Sequence, residues 1–129
     1  MTCRNNPRFE WFIQSLKKQY GGEIPIEILV IDGSPNFAKQ PEFEDKIEGF
    51  DVTLLKPKPT VWQGEYRLPK DDWFAASNAR NTAILHAKGD YIVFADDLSV
   101  LLNGWWAAVL KAYREKYIVF GAYKKVRDM

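Results

Sequence analysis

Residues 77–97 read SNARNTAILHAKGDYIVFADD. The first part is rich in alanine and other helix formers, and Gly89 closes it. The run that follows, DYIVFA (90–95), is β-branched and aromatic with almost no polar alternation. Such a run suits a strand buried on both faces, as in a parallel sheet. It stops on two adjacent carboxylates, Asp96 and Asp97. Helix, glycine and buried strand form one α/β repeat, and the paired acids put charge at the strand's carboxyl end.

The rest of the chain extends this unit in both directions. Asp72 is placed to cap the helix, which runs to about Ala87. Asn6 and Pro7 start an earlier helix, with Phe9, Phe12, Ile13, Leu16 and Tyr20 on one face. Gly21 and Gly22 end it. IEILVI (26–31) is a strand closed by the turn Asp-Gly-Ser-Pro, and DVTLL (51–55) is a second strand. A short helix fits residues 41–48. Residues 56–72, KPKPTVWQGEYRLPKDD, carry prolines and no clean period, so they read as a long loop. Asn103 and Gly104 open a helix through about Glu115, and YIVFGA (117–122) is a last strand.

Helices and strands therefore alternate through one domain spanning residues 1–129. That order predicts an α/β, Rossmann-like fold: a mostly parallel sheet with helices on both faces. The opening MTCRNN has the character of a loop that follows a strand, yet no strand precedes it. The expectation is a truncated unit that begins inside a larger one.

Composition narrows the function classes. The net charge is +1, from 18 basic and 17 acidic residues, which gives no pull toward nucleic acid. No apolar run approaches a membrane span. The single cysteine, Cys3, excludes an internal disulfide and points to a reducing, cytoplasmic setting. With one histidine, His86, neither a histidine-based triad nor a Cys/His zinc site can be built. His86 sits where a helix terminus favours a cation. The chain also lacks a GxGxxG or GxxxxGK[ST] phosphate loop. Five Trp, six Tyr and eight Phe are first of all core filling. Trp62, Tyr66 and Trp73 could equally pin their own loop or stack on a sugar or base.

In an open parallel sheet, ligands bind outside the carboxyl ends of the strands. Thr2 and Cys3, Asp32, and the pair Asp96 and Asp97 all fall at that end. Adjacent carboxylates repel, and a divalent cation relieves the conflict. The competing reading has Asp96 capping a turn and Asp97 facing water. Asp32 can satisfy turn amides or accept from a ring nitrogen. Arg80, among Ala76, Ala79, Ala83 and Ile84 on a helix that reads as buried, needs a partner: an acidic side chain, or a phosphate or base. Asn78 and Asn81 add polarity nearby.

Four stretches, TCRNNPRFEWFIQSL (2–16), EILVIDGSP (27–35), ASNARNTAILHAKGDYIVFADDLSVLLNGWW (76–106) and FGAYKKV (120–126), come in the order of family 2 glycosyltransferases of the GT-A type. The chain resembles them over nearly its whole length. The resemblance implies a nucleotide-diphospho-sugar donor, a UDP-sugar foremost, and an unknown acceptor that is a saccharide, lipid or protein. Thr2 would lie against the base through its backbone, and Asp32 would accept from the base. Arg80 would lie near the nucleotide, Asp96 at the ribose or metal, and Asp97 at the metal. The cation would be Mg²⁺ or Mn²⁺, neutralising the departing diphosphate. Inversion at the anomeric carbon is what the family suggests.

Four departures qualify that likeness. Leu98 stands where the family carries another acid, and Ile31 stands in place of the first acid of the turn. The acceptor half and its general base have no counterpart here. The family's first strand, which lies between 26–31 and 90–95, is also missing, so a fragment completed by other chains, or an oligomer, is one expectation. The alternatives are a non-catalytic truncated fragment and a nucleotide- or phosphate-binding α/β module without transfer. Trp105 and Trp106 read as packing residues, with Trp105 a candidate to lie near the sugar.

Overall fold

A computed structural model describes residues 9–32, 49–58, 76–96, 99–119 and 121. Its elements are helix α1 (Phe9–Lys17), strand β1 (Glu27–Ile31), strand β2 (Asp51–Leu55), helix α2 (Ala76–His86) and helix α3 (Trp105–Glu115). The expected helix over 41–48, most of the 56–72 loop, and Thr2, Cys3 and Asp97 lie outside the described residues.

Spacing explains α1. Phe9, Phe12, Ile13 and Leu16 fall at i, i+3, i+4 and i+7, and all four are buried. Glu10 in its first turn and Lys17 in its last complement the helix dipole. Gly22, at φ +81°, then turns the chain in a conformation that glycine adopts without steric cost.

β1 and β2 pair in parallel, from Glu27 with Asp51 to Ile31 with Leu55. Alternation gives the pair two faces. Ile28 and Val30, with Val52 and Leu54 beside them, meet α1 and the Trp106, Val109 and Leu110 face of α3. The opposite parity ends in buried Ile31 and faces α2, which packs against β1 through its buried Ala79 and Thr82. Helices thus cover both faces. Each large apolar side chain buried in this core contributes about 1.5–3 kcal/mol.

Side chains at the end of α1 bind it to α3 and its lead-in. The Ser15 hydroxyl donates to the Phe12 carbonyl (2.8 Å) and accepts from the Leu101 N–H (2.9 Å). Gln19 donates to the Leu101 carbonyl (3.2 Å) and accepts from the Trp106 N–H (3.3 Å). Tyr20 meets Phe50 and the edge of Trp106. The Trp106 indole N–H donates to Glu23 at 2.9 Å. That bond is the main reason the Glu23 carboxyl is held below its ordinary range. The expectation that Trp106 is a packing residue holds, and half-buried Trp105 stacks on it.

The strand expected at 90–95 is overturned, and the one expected at 117–122 is not met over its described residues, 120 and 122 lying outside them. Residues 91–96 join no ladder, and Ile92, Val93 and Phe94 are exposed, Phe94 at 51%. Residues 117–119 join none either, with Ile118 78% exposed. The physical reason is that a parallel strand owes its hydrogen bonds to a neighbour distant in sequence. Among the described residues the sheet has two strands, β1 and β2. Composition favours a strand at 90–95, but composition supplies no partner. The two segments still meet: the Tyr91 hydroxyl donates to the Tyr117 carbonyl (2.9 Å), and Tyr91 packs edge-on against Tyr113.

Candidate functional site

The carboxyl ends of β1 and β2 lie side by side. Asp32 follows β1, and its N–H still donates to the Leu55 carbonyl (2.9 Å), extending the ladder by one step. Its side chain is 1% exposed. A carboxylate in so dry a place needs donors or an opposite charge close by.

Beyond β2 the chain runs onto α2 and is gripped there. The Lys58 N–H donates to Thr82 Oγ1 (2.9 Å), and Asn78 Nδ2 donates to the Lys58 carbonyl (2.7 Å). The Thr82 hydroxyl donates onward to the Asn78 carbonyl (2.9 Å). Asn78 and Thr82 are four residues apart and share one flank of the helix. Together they satisfy both backbone groups of Lys58 and fix the first turns of α2 against the end of β2.

Arg80 lies about 200° around the helix from Asn78, on the other flank. There its Nη2 stands 3.8 Å from Asp96 Oδ1. The two side chains are 44% and 71% exposed, so the pair faces water and contributes at most about 1 kcal/mol. This corrects the expectation of a buried arginine. α2 buries Ala79 and Thr82, while Arg80, Ile84, Leu85 and His86 face solvent. Asp96 follows the ladder-free residues 91–95, and its carbonyl accepts from the Ser99 N–H (3.1 Å). The other end of that segment is anchored near the start of β1. The Lys88 N–H donates to the Glu27 carboxylate (3.0 Å), and Lys88 Nζ lies 3.9 Å from it. Residues 88–96 therefore run from the start of β1 back toward the strand ends, returning alongside α2.

A profile described as Glycosyl transferase family 2 matches residues 65–129, half of the chain. This protein belongs to glycosyl transferase family 2. Membership carries the GT-A, Rossmann-like fold, and the parallel strand pair with helices on both faces agrees with it. Comparison with curated proteins and with solved structures returned no match.

The matched half of this family 2 chain carries Arg80, Asp96 and Asp97, while Thr2 and Asp32 precede it. Of the five site residues read from sequence, the structure brings Arg80 and Asp96 together and sets Asp32 at the carboxyl end of β1. Thr2 and Asp97 lie outside the described residues. The clamp that Asn78 and Thr82 make on Lys58 is a further feature of this end of the fold. Its only trace in the sequence is two hydrogen-bonding side chains four apart on a helix. Among the described residues, no three His, Cys, Asp or Glu side chains gather as a metal cluster. No helix among them is long and apolar enough to cross a membrane.

Proposed function

We propose that the chain binds a nucleotide-diphospho-sugar, a UDP-sugar foremost, at the carboxyl rim of β1, and serves transfer of its sugar to an acceptor. The observation that carries this reading is the meeting of Arg80 and Asp96 in the half of the chain that matches the family. In this reading Asp32 accepts from the base and the Thr2 backbone lies against it. Arg80 faces phosphate charge, for which a planar guanidinium with paired donors is well shaped. Asp96 serves the ribose or a cation.

A divalent cation, Mg²⁺ or Mn²⁺, fits the donor set. Asp96 is an accessible hard oxygen donor beside Asp97 in sequence. Such ions take one or two carboxylates and complete their shell with water and substrate phosphates. When bound, the cation supplies charge that stabilises the departing diphosphate. Leu98 offers no third carboxylate, so weak metal affinity is expected.

Isothermal titration tests the proposal, using UDP-glucose and GDP-mannose, each with and without Mn²⁺. Binding of a sugar nucleotide that strengthens with Mn²⁺ supports it. Failure of every such ligand to bind a folded sample sinks it. A second reading, nucleotide binding without transfer, draws on the segment 91–96, which presents Asp96 without a ladder to hold it. UDP binding as tight as UDP-sugar binding, with no sugar released or transferred, would favour that reading.

A further inference from the structure

We propose that Asp96 acts as an internal competitor for Arg80, an acidic stand-in for the donor's diphosphate that must give up the guanidinium before the nucleotide can take it. The inference rests on the nucleotide-diphospho-sugar reading, with Asp96 in the cation role and not at the ribose, and adds a regulatory property to that site. Three observations carry it. First, the Arg80–Asp96 separation of 3.8 Å is an ion-pair distance, longer than a charge-assisted hydrogen bond. The pair is held by charge alone, and another anion can replace the carboxylate. Second, both partners are open to water, so exchange needs no repacking. Third, they differ in anchorage. Arg80 rides on α2, whose neighbouring Asn78 and Thr82 are bonded to Lys58, whereas Asp96 sits on a segment outside any ladder. The Asp96 backbone is held by the Ser99 N–H and by the packing of its neighbour Ala95, so release of the guanidinium needs only a turn of the exposed carboxylate.

The linkage follows directly. An Asp96 engaged with a cation no longer competes for Arg80, so cation and nucleotide favour each other's binding through this exchange. Without metal, Asp96 lowers nucleotide affinity by occupying the arginine.

The test is titration of UDP in EDTA into the full chain and its D96N, R80Q and D96N/R80Q variants, with circular dichroism on each. The expected result is that D96N tightens UDP about threefold to fivefold, the range an exposed ion pair supports. The gain should vanish in the R80Q background. An equal gain in that background would mean general relief of negative charge and would overturn the proposal, as would no gain at all. UDP binding by none of the four proteins, with or without Mn²⁺, would remove the donor-site reading and this inference with it. Asp96→Ser serves as a second neutral variant and should match D96N.

Discussion

Thr82 accepts the backbone N–H of Lys58 and, through the same hydroxyl, donates to the carbonyl of Asn78 one helical turn back. One buried oxygen thus joins the end of β2 to α2 and sets the height of the helix that carries Arg80.

Replacing Thr82 with valine keeps the shape and removes that oxygen. The Lys58 N–H then loses its acceptor in a partly buried place. Chemical denaturation should show a loss of about 1–2 kcal/mol. Sugar-nucleotide affinity should fall as well, since Arg80 is no longer held at the same depth.

Removing the Arg80 guanidinium should separate stability from binding. The pair it makes is exposed, so Arg80→Ala should shift the unfolding free energy by no more than about 1 kcal/mol. Binding of UDP-glucose with Mn²⁺ should weaken by tenfold or more, about 1.4 kcal/mol. A variant that binds as wild type would remove Arg80 from the donor site.

Glu23 makes stability sensitive to acid. The Trp106 indole N–H lowers its folded pKa from the ordinary value of 4.5. A lowered folded value means that the unfolded chain takes up a proton first. The stabilisation is therefore complete above 4.5 and is lost as pH falls through the folded pKa. Urea midpoints measured from pH 6 down to pH 3 should drop less steeply for Glu23→Gln than for wild type, and Trp106→Phe should flatten the curve likewise.

Lys116 ends α3 at φ 56°, left-handed for a residue with a side chain. Its N–H still caps the Ala112 carbonyl. Lys116→Gly keeps that bond and removes the steric penalty, so thermal unfolding should show a gain of about 0.5–1 kcal/mol. A loss would mean that the lysine side chain contributes packing of its own.

The three described helices were legible because their cause is local. The i, i+3, i+4 spacing of Phe9, Phe12, Ile13 and Leu16 predicts both the helix and the face it buries, and Gly104 marks the start of α3 within a residue. β1 and β2 were legible from short apolar runs bounded by turns. Asp32 could be read as a strand-end carboxylate for the same reason. The DYIVFA and YIVFGA segments could not be judged this way. Their residues favour a strand, but a ladder exists only where another backbone stands beside it, and no local pattern records that neighbour.

The same distinction governs the site. Residue type and order were enough to nominate Arg80 and Asp96 and to suggest a common ligand. They could not show that the arginine faces water, that Asp96 is its partner, or that Asn78 and Thr82 hold Lys58 from the opposite flank of α2. Those relations come from the rotation of a helix over a sheet. That rotation is set by which side chains it buries against β1, a long-range packing outcome that short-range patterns in the chain do not encode.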